Sequence, residues 1–582
     1  MDPTKDPVSA HVESVVLPQH GDTDAIGGVE LISNNNVVLL PIPSKDPRDP
    51  LNLPAWRRIV IMLTTSIWKY PVILFFPKMF AAVGTLSLTV VSGVGAVIGF
   101  FSPQYVAEGR STAEITYLFT IPALAMGIAN FFSMPLALAI GRRPVFLFSA
   151  ALVSLMSLLC ALNQGYTWHL VARIFLGLAA GQSEALTPMM IQETHFLHER
   201  GKILTWQWAI QSTLSGLLST ISSYQTAVLG LRWWYGFYAI TSFVVFLVGI
   251  VAVPETKYNR PLAAYKGDIA TIENMVKAGD SELAANPKTE ADVTRVTTQS
   301  GPIIDTVNYR GRTFWSDIKL MTGKPEWRRL VVCYKHMLQL LCFPNVLWVV
   351  LMNGVLLGIN VSIGTTYGNI LLDEYHWLSS SVGFAQGGQI VIAFVCLPVL
   401  GFYSDWNVKW MSRRNGGIHE PEFRLVPLIL PMITGIIACV VFGQGGSYPE
   451  RFHWFSIVFG YCAQYFSFVG ASIAGQAYLL DAYPSAQGAV LVLVCAMRGV
   501  IQFGLSYGIS EFQAAAGYAV VFGTYGGLTA LFGLLGIVIF FTGKRIRQFT
   551  ARWKLDDDKE DPEHLGEGYR TAGLGGDHIH FP

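Results

Sequence analysis

The residues best placed to do chemistry in this sequence are three ionisable side chains within long apolar runs. Arg173 and Glu184 share one run, eleven residues apart, and Arg498 lies near the middle of another. Placing a charged side chain at the centre of a membrane helix costs about 2.5–3.5 kcal/mol on insertion scales. We therefore expect each of these side chains to offset this cost by binding a proton, a charged ligand or a partner side chain.

Glu184 is interpreted as a proton carrier or as the binding site of a cationic ligand. A carboxyl group in an apolar, partly wet cavity can bind and release a proton cyclically near neutral pH. The alternative is a structural hydrogen bond to a neighbouring helix. We favour the functional interpretation.

Arg173 and Arg498 keep their protons under ordinary conditions, so they act as fixed charges. Arg173 either holds the charge of an acidic group or extends its long side chain to the lipid headgroups. Arg498 lies deeper in its run. It serves transport or pairs with helix-terminal carbonyls or with Asp481.

Four amide side chains also lie within apolar runs, and each bonds a neighbouring helix or contacts a ligand. They are Gln182, Gln211, Asn360 and Gln464. Asn360-Val361-Ser362 also matches the acceptor pattern for N-glycosylation. A position within a membrane helix is unfavourable for that modification.

Apolar runs of roughly 20 residues predict membrane-spanning helices. Eleven runs are clear, and we number them spans 2–12: residues 114–140, 144–162, 167–191, 204–226, 232–252, 345–371, 379–401, 425–445, 453–477, 488–512 and 518–541. The region 59–106 would contain span 1, but it is too long for one membrane-spanning helix. Its residues 69–83, which include Lys69, Pro71 and Lys78, are interpreted as an insertion, with translated intron sequence as one origin.

Loop charges predict the orientation of the spans. Lys and Arg concentrate on the side that carries Arg142 and Arg143, as expected for cytosolic loops. Both termini are cytosolic only if residues 59–106 cross once, which gives twelve spans. The predicted organisation is a disordered tail (1–55), a six-helix half (56–256), a middle loop with an amphipathic end (257–343), a second six-helix half (344–543) and a cytosolic tail (544–582).

Composition excludes several classes of protein. Just over half of the 582 residues are apolar and 14% are charged, too few to cover a soluble protein of this length. The seven cysteines form no CxxC pair or Cys/His cluster, so no metal site is predicted. The sequence also lacks a phosphate-binding loop and a basic block with interleaved aromatic residues. We expect no enzymatic activity, no cofactor and no nucleic-acid partner.

Short motifs follow one another in a characteristic order. They are Asp46-Pro47-Arg48-Asp49-Pro50-Leu51-Asn52, Gly141-Arg142-Arg143-Pro144, Arg173-Ile174-Phe175-Leu176-Gly177, Gly401-Phe402-Tyr403-Ser404-Asp405 with Arg413-Arg414, and Asp481-Ala482-Tyr483-Pro484. Together they resemble the major facilitator superfamily, specifically the fungal twelve-span transporters related to drug:proton antiporters. The resemblance covers the chain from Asp46 to about Arg547.

The resemblance implies an all-α membrane protein with two six-helix halves and a substrate site at the midplane. It implies a monomer in the plasma membrane that exports a drug or secondary metabolite against protons by alternating access. Uptake of a nutrient or polyamine is the alternative within transport. A non-transporting membrane sensor is the alternative from another class.

The loop residues of these motifs lie at predicted cytosolic helix ends, where basic side chains meet helix dipoles and carboxylates. Salt bridges there would latch the outward-facing state. The set comprises Gly141, Arg142, Arg143, Asp405, Arg413, Arg414 and Asp481. We expect a gating role for Asp405 and orientation alone for Arg413.

Two departures from the resembled family bear on direction and gating. Leu138-Ala139-Ile140 stand where the first signature loop usually has an Asp. Ser215-Gly216-Leu217-Leu218 stand where span 5 of the antiporters usually has a Gly-Pro element. Because that element is associated with exporters, its absence weakens the prediction of efflux more than the prediction of transport.

Overall fold

The computed structural model describes most of the predicted membrane region and parts of the flanking segments. The described residues are 29–30, 32–33, 36–37, 41–44, 46–53, 97–163, 165–258, 260, 264, 319–321, 325–416, 418–483, 486–550 and 552–553. The insertion predicted at 69–83 and most of span 1 lie outside them. The count of twelve spans therefore stays a prediction.

The described residues of the first part of the bundle form seven helices. They are α1 (Ile98–Ala107), α2 (Thr112–Ile140), α3 (Arg142–Ala161), α4 (Tyr166–Ala180), α5 (Gln182–Thr194), α6 (Leu197–Leu229) and α7 (Leu231–Ala252). Gly181 between α4 and α5 keeps helical backbone angles (φ −55°, ψ −42°), so these two helices together form span 4. Ser111 and Glu114 start α2 with a reciprocal capping box.

The second part begins with the amphipathic helix α8 (Trp327–Leu341). The helices that follow are α9 (Pro344–Asp373), α10 (Gly387–Val391), α11 (Leu397–Arg414), α12 (Ile429–Ser447), α13 (Phe455–Ala482), α14 (Gln487–Tyr507) and α15 (Ile509–Thr550). Short 3-10 segments (Val382–Gln386 and Pro421–Leu428) and a π-helical turn (Ile392–Cys396) lie between these helices, and another 3-10 segment (Pro50–Asn52) precedes the first part.

Among the described residues, nine helical segments are long and apolar enough to cross a membrane. They are Glu114–Ile140, Arg142–Ala161, Leu231–Val251, Pro344–Asp373, Val382–Arg414, Pro421–Ser447, Phe455–Ala482, Gln487–Tyr507 and Ile509–Thr550. Spans 4 and 5 also form helices, but span 4 divides at Gly181 and span 5 is rich in Ser and Thr. Large apolar side chains such as Phe148 and Phe541 point outward, as a lipid-facing surface requires.

The two parts meet along two seams: α2 packs on α14, and α6 packs on the segment from Val382 to α11. Small residues allow the close approach. A Cβ added to Gly127 of α2 would lie 2.7 Å from Cα of Gly499 in α14. A Cβ on Gly383 would lie 2.1 Å from Oγ of Ser223 in α6. Close contact through small residues is a common way to join helices in lipid.

The described residues also include four two-residue strands. β1 (Val29–Glu30) pairs antiparallel with β4 (Ile418–His419), in the register Val29 to His419. β2 (Ile32–Ser33) pairs with β3 (Asn36–Val37). The first pairing brings a segment near the N-terminus beside the connection between spans 8 and 9.

Candidate functional site

Arg173 is wholly buried in α4 and is held by two uncharged groups. Its Nε donates to the carbonyl oxygen of Leu118 (2.8 Å), and its Nη1 donates to the hydroxyl of Tyr235 (2.9 Å). The first contact joins span 4 to span 2, and the second joins it to span 6. The side chain therefore points into the bundle and does not extend to the headgroups.

A hydrogen-bonded chain continues from Arg173 through residues that sequence reasoning did not single out. His169, also wholly buried, lies between Tyr235 (Nε2, 2.7 Å) and Tyr105 (Nδ1, 2.8 Å). Asn163 donates to the hydroxyl of Tyr105 (2.9 Å). Because the hydroxyl oxygen of Tyr105 accepts this bond, its proton can be donated to Nδ1 of His169. The ring proton of His169 then lies on Nε2, which donates to Tyr235. The available sequence signal was that His169 lies one helical turn before Arg173.

Arg498 lies in the middle of α14 and is wholly buried. Its guanidinium carbon is 5.7 Å from the ring centre of Phe468 in α13, a cation–π distance. Phe468 in turn meets Trp208 of α6 edge to face at 6.5 Å. A permanent charge therefore faces an aromatic path that crosses from one half of the bundle to the other.

The four predicted amides lie on four helices: α5, α6, α9 and α13. Gln464 of α13 is wholly buried; its Oε1 faces Cys439, and its Nε2 has no hydrogen-bond partner among the described residues. Gln211 of α6 is buried beside Ser212, which accepts a hydrogen bond from Tyr465 of α13 (2.6 Å). This last bond links the two halves near the middle of the bundle.

Asn360 lies within α9, and its buried Oδ1 also has no partner in the described part of the chain. This position is unfavourable for attachment of a glycan. Gln182 and Glu184 occupy the first turn of α5, just after Gly181. Their side chains lie outside what the structure describes, so the proton-carrying role of Glu184 stays a prediction.

A cavity of about 300 Å³ lies between the two halves, at the end of the bundle that carries Ser111 and Gly508. Its polar lining is uncharged and includes Ser102, Thr116, Thr365, Thr366, Asn369 and Gln513. Next to it, the rings of Tyr117 and Tyr507 stack in parallel with centres 5.4 Å apart, joining α2 to α14. The volume is at the lower end of the range for small-molecule sites.

The opposite end carries Arg142, Arg143, Arg413 and Arg414, and we call it the basic end. There Glu255 receives the backbone N–H groups of Arg142 (3.0 Å) and Arg143 (3.2 Å) at the start of α3. A carboxylate at a helix N-terminus is favourable. Gly141 has φ +119°, and a Cβ there would lie 2.4 Å from Oε2 of Glu255. Glycine is thus required at this position for two independent reasons.

The same region contains a buried ion pair that ties α3 to the end of span 4. The guanidinium of Arg142 bonds Oε1 of Glu193, and Thr256 donates to Oε2 (2.9 Å). Arg143 is also buried, and it donates to backbone carbonyls of Ile250 and Lys319. We call Arg142, Glu193, Glu255 and Thr256 the first latch cluster.

The second half has its own buried charges at this end. Arg424 donates to Asp405 (3.1 Å) and to Asp481 (2.9 Å), and His419 lies 3.3 Å from Asp481. We call these four residues the second latch cluster. Beside it, Arg547 bonds Glu420 and Glu422 (2.6 and 2.7 Å). Arg413 and Arg414 are exposed, and Arg414 lies over the ring of Trp410 (3.9 Å).

Comparison with known proteins identifies the family. The model of the Major Facilitator Superfamily matches residues 84–503, which is more than half of the chain. An uncharacterised MFS-type transporter of Schizosaccharomyces pombe is 23% identical over 575 residues, covering 92% of this chain and 94% of the relative. Protein HOL1 of Saccharomyces cerevisiae is 24% identical over 567 residues, covering 90% and 92%.

Solved structures agree at the level of the fold. A peptide transporter POT mutant in complex with sulfate superposes with a TM-score of 0.52 at 12% identity, over 86% of this chain and 98% of that one. The chain belongs to the Major Facilitator Superfamily. The predicted all-α major facilitator fold is confirmed, and the protein is a multi-pass membrane transporter of the secondary class.

Proposed function

We propose that this protein exports a small organic compound across the plasma membrane in exchange for protons. It works as a monomer by alternating access, and its basic end and both termini are cytosolic. The substrate passes between the halves, near Arg498 and the aromatic path through Phe468 and Trp208. Glu184 carries the coupled proton, and Arg173 sets the local charge from span 4.

The observation that carries this proposal is the burial of Arg498. A fixed positive charge at mid-depth is costly in an apolar bundle, and such charges mark ion or substrate pathways. The guanidinium faces the ring of Phe468, which meets Trp208 of the opposite half. Relative movement of the halves would therefore change the contact between Phe468 and Trp208, and with it the surroundings of Arg498, as a coupled transporter needs.

Gating at the basic end supports alternating access. The two latch clusters hold helix ends together through buried ion pairs. Asp405 takes the gating role expected for it, with Arg424 as its partner. Arg413 is exposed and serves orientation through the positive-inside rule.

The test is proton movement in everted plasma-membrane vesicles that contain the protein. Ethidium, berberine and spermidine are added in turn, and the panel member with the largest flux becomes the reporter compound. Export predicts accumulation of the reporter driven by an acidic vesicle interior, with release of protons on its addition. Glu184→Gln should abolish this coupling, whereas the exposed Arg413→Gln should match the wild type.

Unchanged coupled flux in Glu184→Gln would remove that residue from the mechanism. Flux of no panel member, with the protein present and folded, would contradict export and favour the sensor.

Proton-coupled uptake of a nutrient or polyamine is the second candidate, and span 5 favours it. α6 runs unbroken from Leu197 to Leu229 without a proline, and Gly216 packs against Ile390 of span 8. Right-side-out vesicles with an acidic exterior separate the candidates. Accumulation of the reporter there, without accumulation in everted vesicles, would establish uptake.

A further inference from the structure

The motif Asp46–Asn52 folds on itself before the chain enters the membrane. Asp49 accepts hydrogen bonds from the backbone N–H groups of Leu51 (2.9 Å) and Ser44 (3.0 Å). The amide of Asn52 donates to the carbonyl oxygens of Ser44 (2.7 Å) and Asp46 (2.8 Å). We call residues 41–44 and 46–53 the entry cap. Its Asp and Asn residues thus satisfy the backbone of a tight turn.

The entry cap is docked on the first half at the basic end. Arg260 forms an ion pair with Asp49, and both side chains are almost fully buried, 1% and 0% exposed. Ser44 bonds the hydroxyl of Tyr258 (2.8 Å), and Ile42 donates to the carbonyl oxygen of Ala264 (3.0 Å). These contacts attach the cap to the segment that follows span 6.

Arg260 also connects the cap to the first latch cluster. The nitrogen that bonds Asp49 donates to the backbone carbonyl of Glu193 (3.3 Å), in the last turn of α5. The Glu193 side chain, in turn, bonds Arg142. Asp49 therefore holds the side chain of Arg260 in place. Arg260 in turn holds the backbone at Glu193, the residue whose side chain bonds Arg142.

We propose that Asp49 is a positioning residue for the first latch cluster, and that the entry cap stays docked throughout the transport cycle. Separating a buried ion pair leaves both charges uncompensated, which is far more costly than separating an exposed pair. A cap held in this way is a fixed part of the first half. This inference rests on the proposed gating role of Arg142 and Glu193.

Asp49→Asn tests the positioning role because it removes the charge and keeps the shape. We expect the maximal flux of the reporter compound to fall about tenfold, as for other changes that weaken coupling between sites, with its KM unchanged. Asp373→Asn, at an exposed carboxylate on the opposite end, is the matched control.

Hydrogen–deuterium exchange supplies a readout that needs no substrate. Asp49→Asn should speed exchange at residues 186–194, and Asp373→Asn should not. If Asp49→Asn fails to fold, Asp49→Glu keeps the charge on a longer side chain and should show the same selective increase. Unchanged flux and exchange in a folded Asp49→Asn would overturn the positioning role.

A cross-link tests whether the cap stays docked. The hydrogen bond between Ile42 and Ala264 brings their backbones within disulfide range. Oxidised Ile42→Cys with Ala264→Cys should transport at the wild-type rate. Inhibition that a reductant reverses would overturn the fixed cap and indicate a moving latch. Arg142→Gln is measured in parallel. Unchanged flux in that variant would contradict the latch, whereas reduced flux in Arg142→Gln with unchanged flux in a folded Asp49→Asn would overturn the positioning role alone.

Discussion

The two latch clusters occupy equivalent places in the two halves. In the first half, Arg142 at the start of span 3 bonds Glu193 at the end of span 4. In the second, Arg424 just before span 9 bonds Asp481 beyond span 10. Each half thus joins its third helix to its fourth with one buried cation and one buried carboxylate.

The clusters differ in what the second helix of each half supplies. Span 8 continues into Asp405, which also bonds Arg424. Span 2 ends at Ile140 without an acid, and Glu255 after span 6 instead binds the start of α3. The Asp missing from the first signature loop is therefore present in the second. The comparison teaches that both clusters hold a side-chain ion pair, and that in the first cluster a carboxylate bound to backbone N–H groups replaces the second ion pair that Asp405 supplies in the second cluster.

The largest expected effect comes from Arg424→Ala, which leaves Asp405 and Asp481 buried without their cation. Removing one partner of a buried ion pair costs about 3–5 kcal/mol. Thermal melting in detergent should show a large fall in Tm, and Arg413→Ala should leave Tm unchanged. Equal changes in Tm in the two variants would mean that Arg424 contributes no more to stability than the exposed Arg413.

The two loops should differ in their tolerance of a side chain. Gly141→Ala forces a residue with φ +119° to place its Cβ against Glu255, and we expect a loss of about 3 kcal/mol. Gly416→Ala, at φ +65° with open space around it, should cost about 1 kcal/mol. Melting curves of both variants give the difference, and a larger loss in Gly416→Ala would contradict this account.

A double-mutant cycle sharpens the comparison within the first cluster. Arg142→Gln, Glu193→Gln and the double variant should give a coupling energy of about 1–3 kcal/mol, typical of residues in direct contact. Coupling near zero would show that Glu255 alone anchors the start of α3.

Much of the fold was predictable because lipid imposes strong rules on sequence. Spans 2–12 follow from apolar length. The described helical segments reach the predicted limits to within three residues, except that the helix of span 11 ends five residues early, at Tyr507. Burial of Arg498 also follows from its place in an apolar run, whereas the sequence left open whether Arg173 is buried or extends to the headgroups. The partners of the two arginines could not be predicted, because Leu118 contributes a backbone oxygen and Phe468 an ordinary apolar ring.

The latch clusters show where sequence reasoning ends. The motifs pointed to Arg413 and Arg414 as counterparts of Arg142 and Arg143, but Arg424 makes the equivalent contact. Glu193 and Asp481 lie 51 and 57 residues from their arginines, so only packing brings them together. The entry cap is similar, since Asp49 and Arg260 are 211 residues apart.

Initial rates of transport test the central account most directly. Arg142→Gln, Arg424→Gln and Arg413→Gln are compared in everted vesicles with the reporter compound at saturating concentration. Gating by both clusters predicts a strongly reduced maximal rate for the first two variants, an unchanged KM, and wild-type behaviour for the third. Wild-type rates in folded Arg142→Gln and Arg424→Gln would contradict gating at the basic end.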